Sequence, residues 1–194
     1  MAVRETVQVG DLKLKAKNAP VTDFDSRKVK KVIADLIETM RSEQLIGMAA
    51  PQIGENFQIF ATEPRKTIFR SGVFDPLRIF INPKIVDSSK ELVVAYEGCG
   101  SVVRAQLFGP VRRSRVITVK ALDEKGQGFK LTGDGILARV IQHEYDHLQG
   151  IEFTEKIDDY RKLVSTEIYR EKIRNSPKQL KAAEITVCKV ERLS

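Results

Sequence analysis

The only two histidines of the 194-residue chain lie four positions apart, in the segment His143-Glu144-Tyr145-Asp146-His147. On a helix this spacing places both imidazoles on one face, where they can bind one divalent metal ion. Glu144 then lies beside them, placed to take a proton from a metal-bound water. The alternative is a pair of structural histidines in a core helix. Because this pattern arises by chance on the order of once in a thousand chains, we favour a metal site.

A metal ion held by two histidines needs at least one further ligand. The third histidine of metzincin peptidases is replaced here by Phe153, so the remaining choices are a carboxylate or a cysteine. Cys188 lies in a strand-like run and is expected to be a small packed side chain. Cys99 lies between two glycines, where backbone N–H groups can approach a ligand closely. We therefore predict a Cys99 ligand, the alternative being a buried structural cysteine.

The segment that carries the two histidines has the pattern of a core helix. Asp134 is a suitable N-cap and Gly150 a suitable stop signal, so a helix is predicted between them. Two adjacent rows of this helix are rich in apolar residues, which directs both histidines toward the interior. The rows are Ile136, Val140, His143 and His147, and Leu137, Ile141, Glu144 and Leu148.

The rest of the chain must position this helix. Its pattern predicts an α+β fold, with mainly antiparallel short sheets packed around the central helix and further helices near the N- and C-termini. The segment 45–54 is rich in small residues and contains Pro51, so it is expected to be a loop. Other helices are expected over 26–41 and 158–174, strand-like runs at 57–61, 79–86, 92–96 and 185–190, an alternating run at 111–121 and a hairpin turn at 123–126.

Length and composition predict a single domain over residues 1–194, in which residues 159–194 form a basic C-terminal helix and tail. The hydrophobic fraction of 42% is too high for a disordered chain. No apolar run reaches the roughly 18 residues of a membrane span, and the N-terminus has no apolar secretion segment. Two cysteines favour a reducing compartment. A net charge of +7 favours acidic or nucleic-acid surroundings without identifying a partner.

Three segments together resemble the peptide deformylase family. The segment from Ile46 to Gln52 resembles the motif G-x-G-x-A-A-x-Q, and Glu97-Gly98-Cys99-Gly100-Ser101 resembles E-G-C-x-S. The segment from Gln142 to Gly150 resembles Q-H-E-x-D-H-L-x-G. The resemblance covers about residues 5–158, and three motifs in order are far more specific than H-E-x-x-H alone.

The resemblance implies a metal-dependent hydrolase that removes the formyl group from the N-terminal formyl-methionine of newly made polypeptides and releases formate. It implies that Cys99, His143 and His147 bind the metal. It also implies that Glu144 activates a metal-bound water and later returns the proton to the leaving amine. One divalent metal ion per chain is implied, with Fe²⁺ expected in the cell and Zn²⁺, Ni²⁺ or Co²⁺ compatible with the same ligands.

Four further residues receive roles from the resemblance. The side-chain amide of Gln52 and the backbone N–H of Gly100 are expected to hold the formyl oxygen together with the metal. Ile46 and Gly47 are expected to bind the substrate main chain.

The sequence departs from the family pattern at three positions. Leu45 occupies the first glycine position of the first motif, which is expected to alter the local backbone. Gly100 stands where a larger residue is common, so a looser loop is expected. Arg139 is expected to flank or narrow the pocket for the methionine side chain. Arg112 and Asp146 are expected either to support the metal ligands from behind or to form ordinary surface ion pairs.

The expected partners are nascent N-formyl-methionyl polypeptides, and no membrane. The basic C-terminal residues form either a solvated helix face or a contact with ribosomal RNA. The expected location is the bacterial cytoplasm, or an organelle if a transit peptide has been removed. The basic C-terminal residues with these two alternative roles are Arg161, Lys162, Arg170, Lys172, Arg174, Lys178 and Lys181.

Two functions of other classes compete with this interpretation. A zinc endopeptidase would use the same H-E-x-x-H motif, but the chain lacks the third ligand motif of such enzymes and has Cys99 instead. A catalytically silent relative would only bind formylated chains or RNA. The presence of Cys99, Glu144 and Gln52 argues against that alternative, whereas Leu45 is compatible with it.

Overall fold

The computed structural model describes residues 2–68, 70, 72 and 74–193, and nine strands lie within this part of the chain. They are β1 (Gly47–Ala49), β2 (Ile59–Thr62), β3 (Arg78–Ser88), β4 (Leu92–Gly98), β5 (Leu107–Ser114), β6 (Ile117–Leu122), β7 (Gly128–Gly133), β8 (Val164–Ser165) and β9 (Cys188–Arg192).

These strands form two sheets in which every pairing is antiparallel, so the predicted α+β class with antiparallel sheets is confirmed. The larger sheet has the order β1-β2-β3-β6-β7-β9, and the smaller has the order β4-β5-β8. As a result, β1 and β4 are edge strands of their sheets. Gly47 of the first motif lies in β1, and Glu97 and Gly98 of the second motif end β4, with Cys99 directly after them.

The described helices are α1 (Arg27–Ser42), α2 (Gly135–Leu148), α3 (Thr166–Ile168) and α4 (Pro177–Ala183). A π-helical turn, Tyr169–Ile173, continues α3. The helices predicted from Ser26 and from Asp134 are confirmed as α1 and α2. Among the described helices, none is both long and apolar enough to cross a bilayer.

The predicted helix over 158–174 is wrong in its first half. The Asp159 side chain accepts a hydrogen bond from the Arg161 N–H and starts a short 3-10 helix instead of an α-helix. The chain then forms β8, in which Val164 pairs with Phe108 of β5. The α-helical part begins only at Thr166, because tertiary strand pairing overrides the local helix propensity.

The predicted loop at 45–54 is also wrong. It contains β1, which pairs with β2, and a 3-10 helix over Ala50–Ile53. The side chains of Met48 and Ala49 are fully buried. A segment of small residues can therefore enter the core, where a larger residue would keep the backbone away from its neighbours.

Two strand predictions need corrected bounds. The alternating run at 111–121 is two strands, β5 and β6, which are separated by a turn after Ser114. The last strand begins at Cys188 and not at Ile185, because the Asp134 carboxylate accepts hydrogen bonds from the N–H groups of Thr186 and Val187. The Cys188 side chain is exposed, so its predicted burial is wrong.

The core places α2 against the larger sheet. Leu137 and Ile141 of α2 are fully buried in a cluster with Phe60 and Phe80, whose rings stack at 4.6 Å between centroids. The opposite side of the sheet is covered by the apolar stripe of α1, whose buried members include Val29, Val32, Ile33, Leu36 and Met40. Because α2 is held from the sheet side, its histidines face the gap between the two sheets.

Candidate metal centre

Three side chains converge in the gap between the two sheets. The ligand atoms of Cys99, His143 and His147 all lie within 4.8 Å of one another, and the Cys99 Sγ is 3.2 Å from the His147 Nε2. All three residues are at most 9% exposed, so the two histidines point inward as predicted. One ion with ligand bonds of about 2.0–2.3 Å can reach all three atoms. This donor set fits a single divalent transition metal with an open coordination position.

The elements explain why these side chains meet. Both histidines belong to one face of α2, and Cys99 follows directly after the last residue of β4. The Cys99 carbonyl accepts hydrogen bonds from the N–H groups of Val102 and Ala105, which folds the chain into a tight turn. Within this turn Val103, Arg104 and Ala105 adopt positive φ values of 48°, 49° and 59°, which non-glycine residues rarely do. No composition signal in the sequence predicted this conformation.

Glu97 anchors the ligand set from behind. Its Oε2 lies 2.9 Å from the His143 Nδ1, which leaves the other ring nitrogen for a metal. Arg113 donates to both carboxylate oxygens at 2.7 and 2.9 Å, and Arg139 donates to Oε1 at 2.6 Å. Burial alone raises the pKa of Glu97, but the ion pair with Arg113 outweighs it and holds that pKa well below its usual range. Glu97 is therefore a permanent anion that orients His143.

The arginine that supports this arrangement is Arg113 and not Arg112, which corrects the sequence-based expectation. Arg113 bridges Glu97 to Asp146, its Nη1 lying 2.7 Å from the Asp146 Oδ2. Arg112 pairs with Asp158 at 3.2 Å on the exposed side of β5. Adjacent strand residues face opposite sides of a sheet, so only one of the two arginines can point inward.

Arg139 does not narrow the cavity with its charge. Besides its bond to Glu97, its guanidinium donates to the carbonyls of Val111 and Val93 at 3.1 and 2.7 Å. The guanidinium group is thus hydrogen-bonded to β4 and β5, although Arg139 still contributes to the cavity wall. The expectation that it flanks the pocket agrees with this placement.

Glu144 is buried beside the three candidate ligands. Its Oε2 has no hydrogen-bond partner in the described part of the chain, and burial raises the pKa of the carboxyl to about 7. A Cβ atom added to Gly47 would lie 2.5 Å from the Glu144 Oε1 and 2.3 Å from the Val140 Cγ2. Only glycine therefore allows β1 to approach α2 this closely. The unpaired oxygen and a pKa near neutrality are suited to accepting and returning a proton.

Gln52 is held with its amide N–H groups facing the site. Its Oε1 accepts a hydrogen bond of 2.7 Å from the Ala49 N–H, which fixes the orientation of the amide. Its Nε2 lies 3.4 Å from the Cys99 Sγ and 3.3 Å from the Ser101 Oγ. The contact with the Ser101 oxygen is long for a hydrogen bond between nitrogen and oxygen, so the Gln52 amide is compatible with donation to a further acceptor in the cavity.

Gly100 lies on the wall of the same cavity as Gln52. Its carbonyl accepts from the Gln8 Nε2 at 2.9 Å, whereas its N–H has no acceptor among the residues described. The two donors predicted for an oxyanion are thus brought to one site. Their assignment to that role stays a prediction.

Leu45 and Gly100 fit each other. A Cβ atom on Gly100 would lie 2.9 Å from the Leu45 Cδ1, so Leu45 occupies space that a side chain at position 100 would need. The expected looseness at Gly100 is therefore offset by Leu45 packing. The left-handed residue in this segment is Gln44, with φ of 58°, and Leu45 itself is not among the residues with positive φ. The expected backbone change at Leu45 therefore does not take the form of strain.

A cavity of about 520 Å³ connects the candidate ligands to the open edges of β1 and β4. Its lining includes Ile46, Gly47, Gly98 and Gly100. Within the part of the chain that the structure describes, no strand pairs with the outer edge of β1 or of β4, although the Gln179 amide bonds to the Tyr96 main chain on β4. Free strand edges offer main-chain donors and acceptors to an extended peptide. The arrangement can thus bind a peptide end next to a metal ion, a proton acceptor and two N–H donors.

Comparison with known proteins gives a consistent result. The model of the family described as polypeptide deformylase matches residues 3–163. A peptide deformylase of Pseudothermotoga lettingae is 37% identical over 176 residues, covering 91% of this chain and 95% of its own length. A protein named peptide deformylase 1, from Ralstonia nicotianae, is 41% identical over 155 residues, covering 80% of this chain and 86% of that protein.

Solved structures agree with the sequence relatives. The peptide deformylase of Thermotoga maritima superposes with a TM-score of 0.71 at 33% identity, covering 82% of this chain and 100% of the other. A peptide deformylase of Synechococcus elongatus in complex with actinonin gives a TM-score of 0.72 at 31% identity, with 82% and 81% of the two chains covered. A class I type b peptide deformylase of Acinetobacter baumannii gives 0.74 at 30% identity, with 81% and 100% covered.

Proposed function

The chain belongs to the polypeptide deformylase family, and from this premise we propose how its own residues carry out the family's reaction. The chain is an enzyme that removes the formyl group from the N-terminal formyl-methionine of newly made polypeptides. The observation that carries the residue assignment is the buried cluster of Cys99, His143 and His147, with Glu144 beside it, whose Oε2 has no hydrogen-bond partner among the described residues.

The three clustered side chains would hold the catalytic metal. A divalent ion bound there would supply Lewis acidity, which makes the formyl carbon more electrophilic and a water molecule more acidic. Fe²⁺ is the proposed ion in the cell, and Zn²⁺, Ni²⁺ or Co²⁺ suit the same thiolate and imidazole donors. His143 keeps its orientation through Glu97, which accepts from its Nδ1–H.

Glu144 moves the proton. Its carboxylate takes a proton from the attacking water while the water oxygen forms a bond to the formyl carbon. When the carbon–nitrogen bond breaks, Glu144 gives the proton to the leaving amine, and formate is released. Its Oε2 has no hydrogen-bond partner among the residues that the structure describes, which supports this role because no such contact has to be broken for the transfer.

Gln52 and Gly100 stabilise the charge that develops on the formyl oxygen. Both would donate an N–H to it, and one such donor typically contributes roughly 3–4 kcal/mol to transition-state stabilisation. Ile46 and Gly47 would bind the substrate along the outer edge of β1. The Ile46 carbonyl accepts a hydrogen bond of 2.7 Å from the Glu63 N–H and therefore points away from this edge. The main-chain groups of Gly47 would then pair with the substrate, and Ile46 would contact it with its side chain.

Formate release from a formyl-Met tripeptide tests this assignment. Protein purified anaerobically should hold about one metal ion per chain, as expected for a single Cys-His-His site, and should release formate. Glu144→Ala should retain the metal and lose nearly all activity, because the ligands are unchanged and the proton acceptor is gone. Full activity in Glu144→Ala would refute the role of Glu144. Bound metal with no formate, together with casein hydrolysis, would instead support an endopeptidase.

The substrate also bears on location and partners. Formylated nascent chains occur where ribosomes work, and the closely similar relatives are bacterial, so we propose the bacterial cytoplasm as the site of action. Ribosome contact through the basic C-terminal segment is proposed as well. The seven arginines and lysines between Arg161 and Lys181 supply positive charge that would favour an RNA contact.

A further inference from the structure

The cavity continues well beyond the candidate metal ligands. It runs along α2 from His143 past Val140 to Ile136, and its far end is lined by Leu180 and Ala183 of α4. The family match ends at residue 163, so this part of the wall comes from a segment outside the matched region.

The first end of α4 is fixed to the open edge of β4. The Gln179 Oε1 accepts from the Tyr96 N–H at 3.0 Å, and the Gln179 Nε2 donates to the Tyr96 carbonyl at 3.1 Å. Tyr96 lies opposite Pro110 of β5, which has no N–H to donate. The Tyr96 main chain therefore faces away from β5, and the Gln179 amide pairs with it as a neighbouring strand would.

The second end of α4 is fixed to the start of α2. The Asp134 carboxylate accepts from the N–H groups of Thr186 and Val187 at 2.7 and 2.8 Å. A Cβ atom on Gly135 would lie only 2.1 Å from the Glu184 carbonyl oxygen, so glycine is needed for this contact. The helix is thus held at both ends across the far end of the cavity.

The distances suit the first side chain of a formylated peptide. Ile136 precedes His143 by seven residues, which places it about 10 Å further along the helix axis. From the formyl carbon, an extended methionine side chain reaches about 7–8 Å, counting bonds of roughly 1.5 Å. A methionine side chain pointing along α2 therefore ends near Ile136, in the part of the cavity that Leu180 and Ala183 of α4 also line.

We propose that α4 is the end wall of the pocket for the first side chain of the substrate, and that Ala183 and Leu180 limit the size of that side chain. The proposal rests on the deformylase function proposed above. Gln179 acts as the positioning residue that keeps the wall in place. Specificity at the formylated residue would thus depend on the C-terminal segment of this chain.

The variant Ala183→Leu tests the wall by extending it into the cavity. With Ni²⁺-loaded protein, kcat/KM is measured for formyl-Met-Ala-Ser and for formyl-Ala-Ala-Ser. The ratio of the two values should fall about 10-fold or more, since added methylenes in a filled pocket change discrimination by roughly that factor. Ala182→Leu is the matched control, because Ala182 lies on the same helix and does not line the cavity. Its ratio should equal that of the wild type.

Binding provides a readout that does not depend on turnover. Calorimetry with the product peptides Met-Ala-Ser and Ala-Ala-Ser should show that Ala183→Leu weakens binding of the first peptide selectively. An unchanged ratio, or an equal loss for both peptides, would overturn the end-wall proposal. If the wild type released no formate, the proposed function would fail, and the selective loss of Met-Ala-Ser binding would still decide whether α4 forms the wall.

Discussion

Gly47 sets the distance between β1 and the carboxylate of Glu144. Any side chain here would meet the Glu144 Oε1 at 2.5 Å and the Val140 Cγ2 at 2.3 Å. We expect Gly47→Ala to lower kcat about 100-fold, because a shift of about 1 Å in a catalytic group can have that effect. Metal content should stay unchanged, since the atoms nearest to a Cβ at Gly47 belong to Val140 and Glu144 and not to the three candidate ligands.

Gly128→Ala is the matched control for this substitution. Gly128 is also a tightly packed strand glycine, with a prospective Cβ contact of 3.2 Å to Leu193, but it lies outside the cavity lining. Its kcat should be that of the wild type, whatever its melting temperature. Wild-type kcat in Gly47→Ala would contradict the proposed geometry around Glu144.

Replacement of Glu97 is expected to change both the metal affinity and the free energy of unfolding, and the two effects can be measured separately. Glu97→Gln should weaken metal affinity 10- to 100-fold, because His143 loses the carboxylate that orients it. The substitution also leaves Arg113 and Arg139 without their shared buried anion, so we expect a loss of unfolding free energy of about 3 kcal/mol. Competition with a chelator measures the first effect, and urea denaturation measures the second.

A matched control exists for Glu97 as well. Glu63 also accepts hydrogen bonds from two arginines, Arg41 and Arg65, but it contacts no metal ligand. Glu63→Gln should therefore keep wild-type metal affinity. Equal affinities in Glu97→Gln and Glu63→Gln would show that Glu97 has no orienting role.

At the residue scale, the sequence predicted the two candidate histidine ligands because their spacing is local, whereas Cys99 belongs to a separate segment. The H-E-x-x-H spacing already places two imidazoles on one helical face. The supporting arginine was misassigned by one position, because the choice between Arg112 and Arg113 depends on which face of β5 is buried. Side chains alternate between the two faces of a strand, so the sequence indicates which arginine points inward only if one inward-facing residue is known. Val111 is buried and lies two residues before Arg113, so both side chains share the inward face.

The loop that carries Leu45 packs against the loop that carries Gly100, and this packing between two elements can be tested by substitution. Leu45 follows α1, Gly100 follows β4, and the two meet where a side chain on Gly100 would need the space of Leu45. Gly100→Leu alone should therefore lower kcat/KM by displacing the loop that carries Cys99. Adding Leu45→Gly should recover most of this loss, with a coupling energy of about 1–2 kcal/mol.

A complete double-mutant cycle on kcat/KM and melting temperature checks this coupling. The single variant Leu45→Gly completes the cycle and shows how much kcat/KM and melting temperature fall when the packing of Leu45 is lost. Strictly additive effects of the two substitutions would mean that the loops do not compensate each other.

Elements were predictable where one pattern decides them alone. The helices α1 and α2 follow from strong apolar periodicity, and their bounds were correct within two residues, although neither Ser26 nor Asp134 makes a side-chain capping hydrogen bond. The segments 45–54 and 158–165 were misjudged because partner strands decide their conformation. β1 forms because β2 lies beside it, and β8 forms because β5 does. Non-local pairing of this kind leaves little trace in a short stretch of sequence.

At the scale of the whole molecule, the basic C-terminal segment is not one uniform face. Arg161 and Lys162 both pair with Asp159. Arg170 and Arg174 contribute to the cavity lining, whereas Lys172, Lys178 and Lys181 are exposed outside it. The three lysines are therefore the residues that can contact a large polyanion without disturbing the substrate pocket.

A charge reversal limited to these lysines separates ribosome contact from catalysis. The triple variant with Lys172→Glu, Lys178→Glu and Lys181→Glu should bind ribosomes more weakly, and the slope of affinity against salt concentration should fall by roughly the number of lost phosphate contacts. Deformylation of a short formyl-Met peptide should remain unchanged, because none of the three residues lines the cavity.

Reversal of Lys28, Lys30 and Lys31 on α1 provides a control with the same change in net charge at a different place. If both triple variants lost ribosome affinity equally, the overall charge of +7 would explain the attraction and the C-terminal segment would have no special part in it.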